Sequence, residues 1–197
     1  AKVLQIRSVE FASKYQMPLR VLSSFNKSGG TLITKEDNSL ESAVISGITC
    51  SNDDSKIILR NVPDTPGIAA KILSPISEAG IDVDVIVQNV GSDKSTDFTF
   101  TVKNDLSEKA AKILKDLTEG FGGGEVELVK DVSKVSVVGV GMKSHAGVAA
   151  QMFGALANKK INIDMISTSE IKISVVVAKD KAEEAVIALH DEFELDK

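Results

Sequence analysis

Apolar residues recur along the chain with two different periods, and the alternation between these periods predicts its elements. Ile68, Ile72 and Ile76 stand four residues apart, which is the spacing of one buried helix face. Stretches rich in β-branched residues flank this segment and predict strands. The whole chain read in this way predicts helices near residues 8–14, 66–79, 105–119, 147–159 and 180–193, and strands near 18–25, 32–34, 43–49, 56–62, 82–90, 96–102, 125–129, 134–140, 162–169 and 171–178.

The same order of elements occurs twice. Residues 67–86 align without a gap with residues 147–166, and the strands and helices around these segments repeat as well. Identical residues stand at Gly67/Gly147, Ala69/Ala149, Ala70/Ala150, Ile81/Ile161, Asp84/Asp164 and Ile86/Ile166. We therefore predict an α+β fold of two ferredoxin-like βαββαβ domains, each a sheet with helices on one face.

The second copy lacks its last strand, because only a few residues follow the helix near 180–193. A spare strand, residues 43–49, lies before the first copy, and we expect it to complete the second sheet. The first domain, residues 55–132, would then be inserted into a discontinuous second domain made of residues 41–54 and 133–197. Residues 1–40 belong to neither repeat, and residues 35–39 are polar enough to form a linker.

Composition and charge exclude several classes of binding partner and site. The net charge of -5 disfavours nucleic acid and anionic membrane surfaces as partners, and no apolar run reaches the ~20 residues of a membrane helix. One cysteine, Cys50, allows no intrachain disulfide, which fits a cytoplasmic protein. It ends a predicted strand, and we expect it to be a small core residue. Two isolated histidines and one cysteine make no metal set, so no metal site is expected.

The turns that open the two repeated helices are the main candidates for binding chemistry. The N-terminus of a helix suits the carboxylate of an amino acid, and Gly67 and Gly147 allow close approach. Asp64 or Asp84 could hold an ammonium group, and Gln88 could meet a hydroxyl. The alternatives are that Asp64 caps the helix and that Asp84 and Asp164 only face solvent.

Other motifs weigh less. Residues 120–124 are glycine-rich and could suggest a phosphate loop, but a strand follows them, so a turn is favoured. His145 could contact a carboxylate or be a polar loop residue, and His190 fits a structural role. No nucleophile, base and orienting group can be assembled, so no catalytic residue is predicted.

The repeats resemble ACT domains, which bind small amino acids and report to an attached enzyme. Three segments resemble the regulatory part of the aspartate kinase family: Val140–His145, Ile166–Ile171 and Gln88-Asn89-Val90. Residues 1–10, with 18–21 and 30–33, are similar to the end of that family's kinase domain. The resemblance implies a short kinase-domain tail at residues 1–40, followed by the two ACT domains.

The resemblance also implies the ligands and the site. L-threonine, L-lysine or both would inhibit aspartate phosphorylation by feedback, bound where the first ACT domain of one chain meets the second of another in a homodimer. The matching positions are Asp64, Gly67, Ile68, Ala69, Asp82, Val83, Asp84 and Gln88 on one side, and Val148, Ala149, Asn162, Ile163, Ser169 and Glu170 on the other.

On this interpretation the chain is no enzyme on its own. The catalytic partner is an aspartate kinase domain or subunit, where ATP and Mg²⁺ would act, so no cofactor is expected in this chain. The alternatives are a dimerisation module without a ligand, a sensor of another biosynthetic enzyme, and an RNA-binding sheet. The acidic charge and the lack of stacking aromatics oppose RNA binding.

Overall fold

Two long antiparallel strands, one early and one late in the chain, organise the fold. The computed structural model describes residues 4–25, 29–34, 45–91, 94–120, 124–139 and 147–196. The chain divides into the units Ala1–Ser42 and Ala43–Lys197. The predicted linker at 35–39, the segment Val140–His145 and most of the glycine-rich run lie outside the described residues.

The N-terminal unit contains a helix and a hairpin. Helix α1 spans Ile6–Lys14, and strands β1 (Leu19–Val21) and β2 (Thr31–Ile33) pair antiparallel. The sequence prediction of a helix followed by two strands is therefore confirmed for this unit. Most of its large apolar side chains are exposed, and Phe25 is 99% exposed.

The second unit has one six-stranded sheet and four α-helices among its described residues. Its elements are β3 (Gly47–Pro63), α2 (Ile68–Glu78), β4 (Ile86–Val90), β5 (Ser95–Lys103), α3 (Asn104–Gly120), β6 (Glu125–Val138), α4 (Val148–Asn158), β7 (Met165–Thr168), β8 (Lys172–Ala178) and α5 (Ala182–Glu192). The strand order is β4-β5-β3-β6-β8-β7, and neighbours pair antiparallel.

Each half of this sheet has ferredoxin-like order. The first repeat places β4, β5, the second part of β3 and the first part of β6 side by side. The second repeat uses the remainder of β6, then β8 and β7, and it is closed by the first part of β3. Gly47 to Ser51 pair with Val138 to Lys134, which confirms that the strand before the first repeat completes the second sheet.

Each long strand joins two strands that the sequence predicts as separate: β3 joins 43–49 to 56–62, and β6 joins 125–129 to 134–140. The sequence suggests separate strands on either side of Asn52–Ser55, because four polar residues in a row are typical of a turn. In the structure β3 runs through them with register shifts on its β6 side between Ser51 and Asp54 and between Asp54 and Lys56. Asp54 is buried and its Oδ1 pairs with Lys103 Nζ at 2.7 Å, and the hydroxyl of Ser55 donates to Asn104. These tertiary partners let the strand continue, although the second carboxylate oxygen of Asp54, Oδ2, is buried without a hydrogen-bond partner among the described residues.

Each repeat has its own core between sheet and helices, and a third cluster joins the repeats. In the first repeat Ile57, Leu59 and Phe100 of the sheet pack against Ile72 and Ile76 of α2. The core of the second repeat contains Val135, Val137, Val175, Met152, Leu156 and Leu189. The third cluster contains Val85, Val132, Met165 and Val176, with Val87 and Val129 packed against it.

The third cluster lies on the face of the sheet opposite to the helices. Val175 and Val177 point into the helix-side core, so Val176 between them points to the other face. Val85 comes from the first repeat and Met165 from the second. The open faces of the two half-sheets therefore contact each other through this apolar cluster.

Candidate functional site

The turns before α2 and α4 each end in a glycine with a left-handed backbone conformation. Gly67 is the N-cap of α2 and has a left-handed φ of 92°, and Gly147 at the start of α4 has a φ of 111°. Within the described chain no side chain caps either helix, so Asp64 and Thr65 do not serve as caps. The Ile68 N–H donates to Thr65 O at 3.1 Å, while the other first-turn N–H groups of α2 have no intrahelical acceptor.

A pocket opens at this end of α2. It has a volume of about 430 Å³ and is lined by Asp64, Thr65, Pro66, Gly67, Ile68, Ala69 and Gln88. Five of the eight residues predicted for the first side of the effector site are thus brought together by the turn and strand β4. A β-carbon at Gly67 would meet no atom within 4 Å, so the pocket is open beside the backbone.

The polar groups of this pocket come from two elements. Asp64 lies at the end of β3 and is exposed, and its N–H donates to Lys94 O at 2.9 Å. Gln88 lies on β4, which forms one edge of the six-stranded sheet, and pairs in register with Phe98 of β5. A carboxylate, an amide and a helix N-terminus therefore face one small volume, which suits a ligand with carboxylate, ammonium and hydroxyl groups.

The other three residues predicted for this side do not line the pocket. Asp82 is exposed, and Val83 packs against the core of the first repeat. The carboxylate of Asp84 forms an ion pair with the ammonium group of Lys134, which belongs to the second repeat of the same chain. Its carboxylate is thus engaged with an ammonium group, but that group belongs to a lysine of the protein.

This ion pair has a counterpart at the equivalent place in the other repeat. Lys56 Nζ lies 2.7 Å from Asp164 Oδ2, and the Lys56 side chain is only 11% exposed. Lys56 and Lys134 each stand near the beginning of the first strand of a repeat, whereas Asp84 and Asp164 each precede the second strand. A lysine of each repeat therefore pairs with an aspartate of the other repeat.

Burial controls the electrostatics of Lys134. Removal from water lowers the pKa of its ammonium group, and the negative charge of Asp54 partly offsets this effect. Sequence reasoning missed both lysines. The repeat contains a sign of these pairs, because the two lysines recur at nearly the same spacing as the two aspartates. The pairing itself could not be predicted, since each lysine is distant in sequence from its partner.

The six residues predicted for the opposite side lie in the second repeat, and the pocket beside α2 contains none of them. Val148 is buried in the core, and Ala149 and Ile163 pack against it. Asn162 and Glu170 are exposed, and the hydroxyl of Ser169 accepts from the Lys172 N–H at 3.2 Å. The resemblance assigns these residues to the second chain of a dimer.

Three further observations concern metal binding, the single cysteine and membrane spans. The described residues contain no group of three or more His, Cys, Asp or Glu side chains that could hold a metal ion. Cys50 is exposed and its thiol donates to Asn52 Oδ1 at 3.1 Å, which corrects the expectation of a core residue. Partial burial and the charge of Asp54 raise the pKa of this thiol. No helix within the described ranges is both long and apolar enough to cross a membrane.

Comparison with known proteins agrees with the two repeats. Models of the ACT domain match residues 57–119 and residues 135–193. An aspartate kinase of Pseudomonas fluorescens is 57% identical over 197 residues, which are the whole of this chain and 48% of that protein. The chain thus spans about half the length of the curated relatives it matches.

Solved structures agree as well. The ligand-free regulatory subunit of aspartate kinase from Thermus thermophilus is 41% identical with a TM-score of 0.73, and the match covers 76% of this chain and 99% of that one. The aspartate kinase of Synechocystis is 34% identical with a TM-score of 0.76, over 98% of this chain and 35% of that one. With two ACT repeats and a regulatory subunit matched along almost its whole length, the chain belongs to the aspartate kinase family, of which it represents the regulatory part.

Proposed function

We propose that this chain senses L-threonine, L-lysine or both, and thereby places aspartate phosphorylation under feedback inhibition. The observation that carries the proposal is the pocket at the N-terminus of α2, where five of the predicted effector residues converge. The effector carboxylate would accept from the backbone N–H groups that follow Gly67. Asp64 would accept from its ammonium group, and Gln88 would bind a side-chain hydroxyl or amine.

The pocket is open on one side, which is why the proposal includes a second chain. Strands β4 and β7 are the two edges of the sheet, and each exposes an isoleucine, Ile86 and Ile166, to 45%. Apolar side chains on an unpaired strand edge are typical of a surface that a partner covers. We infer a homodimer through the ACT domains, in which Asn162, Ser169 and Glu170 of one chain approach the α2 pocket of the other.

The remaining partner is catalytic. Inhibition requires an aspartate kinase domain or subunit, in the same polypeptide or in a complex, and ATP and Mg²⁺ would act there. An effector inhibits if it binds the inhibited arrangement more tightly than the active one. We place this sensing in the cytoplasm, where free amino acids and ATP are available to one enzyme.

Calorimetric titration of the 197-residue chain with threonine, lysine and their mixture tests the proposal. We expect heat of binding and a shift toward dimer in sedimentation. Gln88→Ala should weaken binding about tenfold, which corresponds to about 1.4 kcal/mol, because it removes the hydrogen bonds of the amide. Asp64→Asn should act in the same direction through the lost charge.

The matched control is Thr168→Ala, which changes the equivalent position of β7 in the second repeat. It should retain the wild-type response if the α2 pocket is the main site. The absence of heat with either amino acid up to about 10 mM would leave a dimerisation module without a ligand as the better interpretation. Equal losses in the Gln88 and Thr168 variants would show that the α2 pocket has no special role.

A further inference from the structure

A second cavity lies on the open face of the sheet, away from the N-terminus of α2. It has a volume of about 330 Å³, at the lower limit of small-molecule sites. Its floor is the open face of the first half-sheet, formed by β3, β4 and β5, and its wall is residues 163–166 of the second repeat. The charged residues that line it are Lys56, Arg60, Asp97 and Asp164, so positive and negative charges are equal in number.

The guanidinium of Arg60 and the carboxylate of Asp97 are each fixed by a hydrogen bond through one terminal atom. Arg60 Nη2 donates to Glu127 Oε2 at 2.9 Å, and Asp97 Oδ1 accepts from the Asn61 N–H at 3.0 Å. The other terminal atoms, Arg60 Nη1 and Asp97 Oδ2, lie 3.8 Å apart, and this distance is longer than a direct charge-assisted hydrogen bond. A positive and a negative group are therefore fixed next to each other without being fully engaged.

A backbone irregularity sets this arrangement. The register between β3 and β5 shifts between Leu59 and Val62, so that Arg60 and Asn61 form a bulge. Asn61 has a left-handed φ of 55°, a conformation that is uncommon for a residue other than glycine. Bulges change the direction of side chains and concentrate near functional sites. The bond to Asp97 stabilises the bulge and orients the carboxylate at the same time.

The second repeat provides an internal comparison. The cross-strand pair Ile58–Thr99 in the floor of the cavity corresponds to Ser136–Ser174 in the second repeat. Ser136 and Ser174 are 4% and 2% exposed, and their hydroxyls lie 2.8 Å apart in a hydrogen bond. The equivalent place is thus closed by two small polar residues.

The charged pair is also confined to the first repeat. Where the first repeat has Arg60 and Asp97, the second has Val138 and Lys172, which pair directly across the strands. An ordinary β-ladder therefore satisfies the fold at this place without a bulge or opposite charges. The bulge and the pair of opposite charges are therefore features of the first repeat and not of the ladder that both repeats share.

We propose that this cavity is a second binding site, for a small zwitterion of the α-amino acid class. The carboxylate of the ligand would accept from Arg60 Nη1 and its ammonium would donate to Asp97 Oδ2, so that the ligand completes both partly engaged groups. Asn89 and Thr99 offer further hydrogen bonds, and Ile58 and Val87 offer apolar contact to a short side chain. The site is separate from the pocket at α2 and does not depend on the function proposed for it.

Amide chemical shifts of the ¹⁵N-labelled chain test the proposal with glycine, L-threonine and L-lysine as probes at about 10 mM. We expect at least one amino acid to shift the amides of Asn61, Asn89 and Thr99. Propionate and propylamine, which carry only one of the two charges, should shift them much less. Arg60→Met and Asp97→Asn should each weaken this response about tenfold or more.

The variants are chosen to keep the fold. Asp97→Asn retains an oxygen that can accept from the Asn61 N–H, so it decides the question if Arg60→Met does not fold. Lys130→Met, which removes a positive charge from the exposed pair with Glu108, should leave the response unchanged.

Three results would overturn the proposal. The first is a set of shifts confined to the turn at Gly67 and to Gln88, which would leave the α2 pocket as the site of binding. The second is a response around Asn61 and Thr99 that survives in the Asp97→Asn variant. An absence of shifts with all three amino acids would also exclude the site.

Discussion

Glycine 67 shows how a single backbone angle shapes the candidate site. Its φ of 92° turns the chain from β3 into α2 and leaves the first N–H groups of the helix without a side-chain cap among the described residues. In most helices a Ser, Thr, Asp or Asn at this position would fill that role. A side-chain oxygen there would occupy the donors that a ligand carboxylate needs, so glycine keeps them available.

We predict that Gly67→Ala destabilises the chain by about 1 kcal/mol, because alanine is strained at a positive φ. Steric overlap is not the cause, since the new β-carbon would meet no atom within 4 Å. The measurement is the midpoint of urea unfolding. The matched control is Gly154→Ala, in an exposed position inside α4 where the β-carbon also meets nothing within 4 Å. That change should stabilise by about 0.5–1 kcal/mol, and a loss of stability in both variants would contradict the argument from φ.

At the scale of elements, the reciprocal lysine–aspartate pairs fix the two half-sheets against each other. The third apolar cluster supplies contact area between them but little direction, because apolar contacts are not directional. The ion pairs Lys56–Asp164 and Lys134–Asp84 flank this cluster and join a strand of one repeat to the segment before an edge strand of the other. They therefore determine how the repeats are oriented within the chain.

We predict that Asp164→Asn costs about 1–2 kcal/mol, because it leaves the largely buried Lys56 ammonium without its anion, although Asp164 itself retains some contact with water. The comparison is Glu108→Gln, which breaks the pair with Lys130 where both side chains are at least half exposed. That change should cost less than about 0.5 kcal/mol. Urea unfolding measures both values, and equal costs would mean that the Lys56 pair does not stabilise the contact between repeats.

The sequence predicts the elements better than it predicts their connections. Apolar periodicity and the repeat locate the helices, and the spare strand before the first repeat is assigned to the correct sheet. The continuity of β3 is missed, because Asp54 and Ser55 find their partners in Lys103 and Asn104, about half a repeat away in the chain. Local patterns contain no information about such partners.

The same limit applies to the candidate site. Residues of one turn, such as Asp64 and Gly67, are found from the sequence because they are neighbours in it. Asp84 is also singled out as a ligand for an ammonium group, but its partner Lys134 becomes visible only in the folded chain. The bulge at Asn61 could not be predicted from the sequence, because asparagine is also common in the turns between strands. The left-handed φ of Asn61 arises from the way β3 pairs with β5.

At the scale of the whole molecule, the shared strands β3 and β6 join the two repeats into one cooperative folding unit. Both strands contribute residues to both cores, so neither repeat can lose its sheet without breaking a strand of the other. Proteins built from separable domains unfold in separate steps, whereas shared strands favour a single transition.

We predict that Leu59→Ala in the first core and Leu189→Ala in the second each cost about 2–4 kcal/mol, because both side chains are fully buried. The sharper expectation is that each variant speeds hydrogen exchange of the slowest amides in both repeats to a similar extent. Exchange measured by mass spectrometry after proteolysis separates the two halves. Faster exchange confined to the mutated repeat would show that the repeats open independently.

The crossed use of β3 also bears on how such a chain could have arisen. A simple tandem duplication gives two copies that follow one another, each with its own closing strand. Here the closing strand of the later copy precedes the earlier copy. Two duplicated copies that had exchanged an end, as in a circular permutation, would have this order. The ancestral halves would then have become mutually dependent in a single rearrangement, and a gene divided between residues 55 and 56 would encode no complete second sheet.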